Sequence, residues 1–315
     1  MDYFTRWGPA DENSPGIRAQ APTEQATRSR HSAMLLYLGP ELEEGVTMIR
    51  KAIAIFQARG LSGLLRATSS RTRSLFTGKA KSFQAYRDRF VGKSGIEIGG
   101  PSQVFARRGI FPVYPLVGNL DNCNFSSKTV WEGLVKQGKN FLFDPNKPAG
   151  QQYIVDATAM DALPSKAYDF VLSSHMLEHT ANPILALLQW KRLVRDNGTL
   201  VLLLPNKCRT FDHRRPVTTM EHLISDFNAG TTEDDLTHLP EILALHDLEL
   251  DPEAGDMDAF KERSTRNFGN RCLHHHVFDA HLAAALVEYV GLTVSSVEEI
   301  HPYHILLLAE NNCLD

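Results

Sequence analysis

Gly95-Ile96-Glu97-Ile98-Gly99-Gly100-Pro101-Ser102 reads as a short buried strand that ends in a glycine turn. A helix is expected to start at or just after Ser102. Glycines let a backbone turn sharply and approach a ligand, because no Cβ stands in the way, and amides at a helix start can face a polar or anionic group. A P-loop would need Gly-Lys-Ser/Thr after four spacer residues, and that is absent. A nicotinamide or flavin fingerprint would need Gly-x-Gly-x-x-Gly after apolar strand residues. Here an acid, Glu97, stands inside the strand two positions before Gly99. That suits a ligand with a cationic amino group better than a pyrophosphate. An ordinary strand-to-helix turn satisfies the same letters.

Downstream, strands and helices alternate. Gly95–Ile98 is the first strand, Phe111–Val117 is expected as the second, with Asp121 just past its end, and Tyr153–Val155 as a third, ending at Asp156. Tyr168–Ser173 forms a fourth. A helix follows from Pro183, a favoured first-turn residue, through Leu193; Asn197-Gly198 then turns into the apolar run Thr199–Leu204, typical of a strand covered on both faces. This alternation implies a Rossmann-like, doubly wound, mostly parallel sheet, whose ligands bind at the carboxyl ends of the strands. Gly99, Asp121, Asp156 and Ser174 all fall at expected strand ends. A helix over Ala280–Val290, stopped by Gly291, and two strands, Thr293–Ile300 and His304–Ala309, close the chain. Between Pro205 and Phe278 the rhythm lapses into a polar, acidic, histidine-rich insertion. Insertions of this length are more often functional than idle, and we read residues 205–278 as a substrate lid within a domain spanning 94–315.

Upstream, residues 1–93 read as an extension. Met1–Ser32 is a loose arm, Glu41–Ala58 an amphipathic helix, and Leu61–Leu65 a further helical piece. Basic residues dominate from Arg59 to Lys93. They form either a solvated face or an anion-facing patch, with the first favoured. The net charge of −4 speaks against a general nucleic-acid binder. Cys123, Cys208, Cys272 and Cys313 form no Cys-x-x-Cys pair, as in a reduced cytoplasmic protein. No apolar run approaches the ~20 residues of a membrane helix, and no signal segment opens the chain.

From Gly95 onward the order of elements resembles a class I S-adenosylmethionine-dependent methyltransferase. Glu97-Ile98-Gly99-Gly100 is similar to that family's first motif, and Asp156-Ala157 to its acid-plus-small pair. The run Tyr168-Asp169-Phe170-Val171-Leu172-Ser173-Ser174-His175-Met176-Leu177-Glu178-His179 resembles the family's segment after the fourth strand, the most specific match. Arg195-Asp196-Asn197-Gly198-Thr199-Leu200 resembles its turn into the fifth strand. The resemblance implies S-adenosylmethionine as cofactor, its methionine end held by Glu97, Gly99, Gly100, Pro101 and Ser102, its adenine facing Asp156 and Ala157, with Ser174 at the same edge. Two departures stand out. Pro101 replaces a glycine and removes a donor. The acid expected for the ribose hydroxyls is not obvious, Asp121 being the candidate and Asp144 a distant second.

Methyl transfer from a sulfonium needs orientation and a deprotonated acceptor. A hydroxyl acceptor needs a base or a metal, and histidine is the usual base near neutral pH. The catalytic candidates are His175, Glu178 and His179 after the fourth strand, His213 in the insertion, and His275 from the triple His274-His275-His276. His175, Glu178 and His179 with a later histidine are also a candidate ligand set for a divalent metal, as in small-RNA terminal methyltransferases, whose first ligand is Glu where this chain has His175. A structural role for Glu178 and His179 is the alternative. Arg214-Arg215 can pair with a substrate anion or with the insertion's own acids. The expected reaction is O-methylation of a small-molecule or glycan-like acceptor. An RNA acceptor, or a non-catalytic scaffold that keeps the fold, are the alternatives.

Overall fold

The computed structural model describes residues 79–312, so the arm, the Glu41–Ala58 helix and the Leu61–Leu65 piece lie outside the described residues. A short helix α1 (Phe83–Tyr86) precedes β1 (Ser94–Ile98) and β2 (Asn119–Asn124). A small hairpin follows, β3 (Lys128–Thr129) and β4 (Gly133–Leu134), then β5 (Gly138–Phe141), β6 (Gly150–Ile154) and β7 (Tyr168–Ser174). Helix α2 (Pro183–Leu193) leads into β8 (Val194–Pro205). The insertion carries α3 (Met220–Ala229), α4 (Leu239–Leu245), α5 (Met257–Thr265) and α6 (Asn267–Asn270). Helix α7 (Ala280–Tyr289), β9 (Thr293–Ile300) and β10 (His304–Glu310) finish the fold.

The main sheet runs β5-β6-β2-β1-β7-β8-β10-β9. Strands β6, β2, β1, β7 and β8 are parallel, while β10 lies antiparallel between β8 and β9. Alternate residues of a strand face opposite sides, and this sorts the core. Val171, Leu200, Leu202, Ile305 and Leu307 face a layer built from α2 and α7. Phe170, Leu172, Val201, Leu203, Leu306 and Leu308 face an aromatic layer of Phe90, Phe105, Phe111 and Tyr114. Residues 79–93 therefore contribute to the same core, through Phe83 and Phe90. The helix ends follow local chemistry: Asn182 caps α2, with Pro183 in its first turn, Thr219 caps α3, and Asp279 caps α7.

Three expectations need correction. The helix awaited at Ser102 is only a three-residue 3-10 turn, Gln103–Phe105. The second strand is Asn119–Asn124 and not Phe111–Val117; the latter is a buried, irregular run lying under the sheet. Its two prolines, Pro112 and Pro115, cannot donate to a ladder. Asp121 therefore lies within β2, three residues before its carboxyl end, opposite Ile96. There it accepts from Asn119 Nδ2, the Gln151 amide and the Tyr168 hydroxyl, far from the ligand edge. Among the described residues no α-helix joins β1 to β2 or β2 to β6, so the βα rhythm belongs to the second half of the sheet.

The insertion has a small core of its own, centred on Ile242, Phe260 and Leu273. The fully buried Arg215 holds it together, reaching Asp212 (3.0 Å) and Glu241 (2.9 Å). Arg214 and His213 share Asp247. Both arginines thus pair with the insertion's own acids, though not with Asp234 or Asp235.

Gly95 explains how tightly β1 and β7 are packed, since a Cβ there would lie 2.0 Å from the Phe170 ring. Phe170 is itself wedged edge-on against Phe90. Overpacking of this kind costs about 1–3 kcal/mol. Gly95→Ala should lower the urea midpoint accordingly; an unshifted midpoint would contradict this packing.

Candidate functional site

Gly99 leaves β1 with φ +82°, and a Cβ on it would meet Met176 Cγ at 3.0 Å. A Cβ on Gly100 would strike Glu97 Cδ at 2.3 Å, so the turn is folded directly over the acid. Glu97 is fully buried; its Oε1 accepts from the Ser102 amide (3.0 Å) and its Oε2 from the Tyr114 hydroxyl (2.6 Å). Burial pushes the carboxyl up to about 8, against the pull of those two donors. Asn122, paired beside Glu97 across β1 and β2, accepts from the Gly100 amide and donates to the Gly100 carbonyl, both at 3.0 Å. The Gly99 amide goes to Cys123 O. Every amide of the turn thus has an internal partner, and Pro101 has none to give. A turn without a spare donor is unsuited to a pyrophosphate, as the acid in the strand suggested. Glu97 acts from beneath the turn, setting its shape.

At the end of β2, where an acid was sought for ribose, stands Asn124, within an amide cluster with Asn122 and Gln152. Asp144 is buried and caps its own loop at Asn146. Asp156, just past β6, accepts from Thr158 on one oxygen and from Arg271 (2.8 Å) on the other. Ala157 follows it at the same edge. Arg271 also reaches Glu233 (2.9 Å) and lies over the Phe125 ring, so the insertion touches the strand ends here. Ser174 closes β7 with a buried hydroxyl that has no partner among the described residues.

Beyond β7 the polypeptide makes a tight corner, with His175 at φ +50° followed by a 3-10 turn, Leu177–His179. This corner gathers His175, Glu178 and His179 as expected. Glu178 is buried, with Oε1 3.6 Å from His175 Nδ1 and Oε2 without a hydrogen bond among the described residues. Burial would raise Glu178, but the surrounding imidazoles outweigh it and hold the carboxyl below its usual range. His175 Nε2 meets His304 Nδ1 at 2.8 Å. His179 Nδ1 is bonded to Leu273 O (3.1 Å), and its ring packs edge-on against His274 and Trp131. Burial, aided by His274, presses His179 down to about 3.

The third member from the triple histidine is His274, not His275. His274 Nδ1 lies 2.5 Å from Asp212, while His275 turns into the insertion toward Asn267 and Glu233. Successive side chains of an extended run point opposite ways, so only one neighbour could reach. Burial alone would lower His274, yet the Asp212 carboxylate more than reverses this and its pKa is raised; Asp212 falls to about 2 in return. Glu178, His179 and His274 offer ligand-type atoms within 4.8 Å of one another. His213, turned to Asp247, is not part of this group. Tyr114, Asn122, Asp212 and Trp131 escaped the sequence reading, because nothing local marks a side chain that acts across the fold.

Residues 78–297, well over half of the chain, match the family described as "Methyltransferase domain". No curated protein matches this chain. Among solved structures, an S-adenosylmethionine-dependent methyltransferase from Mesorhizobium loti is 12% identical, with a TM-score of 0.41 over 73% of this chain and 98% of its own. A CurJ carbon methyltransferase is 14% identical (TM-score 0.37) over 71% of this chain, which spans about half, 49%, of that chain. PigF with SAH is 14% identical (TM-score 0.36) over 73% of this chain and 61% of its own. Likenesses this distant carry no argument about substrate. The chain belongs to the class I S-adenosylmethionine-dependent methyltransferase family.

Proposed function

We propose that the chain methylates an oxygen of a small, hydroxylated or sugar-like acceptor, with the Glu178–His179–His274 group receiving the acceptor. The observation that carries this reading is that group itself: an ionised carboxylate and two imidazoles at the end of β7, beside the glycine turn. The cofactor's place is the edge formed by Gly99, Gly100, Pro101 and Ser102, with Asp156, Ala157 and Ser174 alongside. The residues fit it. No side chain stands on the turn at Gly99 or Gly100, no amide invites a pyrophosphate, and the Ser174 hydroxyl lacks a partner among the described residues. Bound there, S-adenosylmethionine supplies the methyl group on its sulfonium.

In this reading His179, free of a proton at neutral pH, accepts the acceptor's hydroxyl proton through Nε2, since Leu273 O holds Nδ1. Glu178 stabilises the imidazolium as it forms, and Asp212 holds His274 in place. An imidazole held near 3 is a weak base for an alkyl hydroxyl, because efficient bases lie near the working pH. That favours a second reading, in which Glu178, His179 and His274 bind a divalent ion that lowers the hydroxyl's pKa. Both imidazoles have Nδ1 fixed by an oxygen, as metal-bound histidines usually do. The arms of one assay separate the readings. Labelled methyl transfer to hydroxylated small molecules should occur, with RNA as the competing acceptor. A metal bound by the parent and lost together with turnover in Glu178→Gln selects the metal at this corner. Transfer to RNA alone overturns the small-acceptor reading, and absence of S-adenosylhomocysteine binding overturns the enzyme.

Removing the acid beneath the turn should weaken the cofactor. Glu97→Ala should reduce calorimetric affinity for S-adenosylhomocysteine by the ~0.5–1.5 kcal/mol typical of a neutral hydrogen bond, because the turn loses the group that holds the Ser102 amide; an unchanged affinity would remove Glu97 from the methionine end. For His179→Ala, cofactor affinity should stay at the parent's value while turnover falls by at least about 100-fold. Equal turnover would return His179 to a structural role.

Stability should respond to acid. Burial holds His179, His275 and His304 near 3, 4 and 3, against about 6.5 in an unfolded chain. Their contribution is complete above pH ~6.5 and is lost as pH falls toward those values, by up to about 1.4 kcal/mol per pH unit for each ring. Glu97, raised to about 8, works the other way, its contribution disappearing as pH rises through 8. Three rings outweigh one carboxyl, so chelator-treated protein should melt progressively lower from pH 6.5 to 5. A flat or rising melting temperature would mean these rings are not buried neutral.

A further inference from the structure

The insertion contains a second gathering of metal-type ligands, separate from the corner after β7. Helix α3 carries His222 and Asp226 four residues apart, on one face. His238, at the start of α4, brings its Nε2 to 2.9 Å from His222 Nε2, which is 3.1 Å from Asp226 Oδ2. From the core side comes His276, fully buried, with Nε2 3.7 Å from the same oxygen and Nδ1 without a hydrogen-bond partner among the described residues. These four residues offer ligand atoms within 4.8 Å of one another.

Asp226 Oδ2 is buried and makes no hydrogen bond among the described residues, with only the His222 and His276 imidazoles beside it, while its other oxygen is held by Thr231 Oγ1. A buried carboxylate oxygen without a hydrogen bond is costly. A neutral imidazole has one N–H, and His276 directs Nε2 at Ala181 O (3.1 Å). Zinc bound tetrahedrally at ~2.0–2.1 Å needs neighbouring ligand atoms about 3.3 Å apart, close to the spacings between His222, His238 and Asp226. Imidazole with carboxylate, and no thiolate, suits zinc and its first-row neighbours. The Thr231 bond is the kind of outer contact that fixes a ligating carboxylate, and His222, 38% exposed, leaves a way in.

We infer that His222, Asp226 and His238 bind a divalent ion of the zinc class, with His276 closing the site from the core side. The ion ties α3, the start of α4 and the triple-histidine run into one knot. That knot is anchored just beyond Glu178 and His179, through His276 to Ala181 O and through Asn182 Nδ2 to Asp226 O (3.3 Å). The ion therefore positions the insertion over the catalytic corner and takes no part in the reaction.

The test is zinc titration of full-length, chelator-stripped protein by calorimetry, repeated with cobalt to read the visible band of tetrahedral coordination. The parent should bind zinc and melt at a higher temperature with it. The double variant His222→Ala/His238→Ala should bind one zinc fewer, or bind it at least about 100-fold more weakly, and lose that ion's share of the cobalt band. Glu178→Gln, which alters only the corner after β7, should keep that zinc. If the double variant fails to fold, Asp226→Asn, which retains the Thr231 contact and the side-chain shape, is read in the same way. A parent that takes up no zinc, or variants with the parent's stoichiometry and affinity, would overturn the site and leave a hydrogen-bonded histidine cluster.

Discussion

The carboxyl of Glu97 is buried under its own glycine turn, and much of the first half of the fold answers to that burial. A carboxyl removed from water is tolerated only when hydrogen-bond donors surround it. Here the donors are the Ser102 amide and the Tyr114 hydroxyl. For Tyr114 to arrive, the chain after Ser102 must double back beneath the sheet. This accounts for the short 3-10 turn where a helix was expected, and for an aromatic layer on that face. Asn122 completes the arrangement by holding both polar groups of Gly100, which the register of β1 on β2 makes possible.

The second half rests on a different constraint. The insertion is polar, and a polar segment can cover an apolar sheet edge only if its buried charges are paired. Arg215 with Asp212 and Glu241 does this internally, while Arg271 and His274 do it toward the core. Arg271 bridges Asp156 and Glu233, and His274 links Asp212 to the corner holding Glu178 and His179. The insertion is thereby joined to the strand ends by charge pairs. Among the described residues no helix is long and apolar enough to cross a membrane.

Much of this was legible in the letters because it depends on local pattern. Periodicity places β7, α2, α7 and the closing antiparallel pair within a residue or two of where they lie, whereas β8 begins at Val194, five residues before the expected Thr199, so that Asn197-Gly198 lies within the strand. The acid two positions before Gly99 pointed away from a pyrophosphate, and the fully partnered amides of the turn agree. The Tyr168–His179 segment placed His175, Glu178 and His179 together after a strand. Phe111–Val117 misled because an apolar run reads alike as a strand or as a buried loop, and its prolines were the overlooked signal.

The residues alone thus determined the class of fold, its family and one side of the candidate site, since each follows from neighbours in sequence. The other side was decided by tertiary structure. Which histidine of three meets Glu178, which tyrosine donates to the strand acid, and which arginine caps Asp156 are contacts between residues 17 to 115 positions apart. No local rule encodes such pairings; they exist only once the burial of the sheet and the charge balance of the insertion are satisfied together.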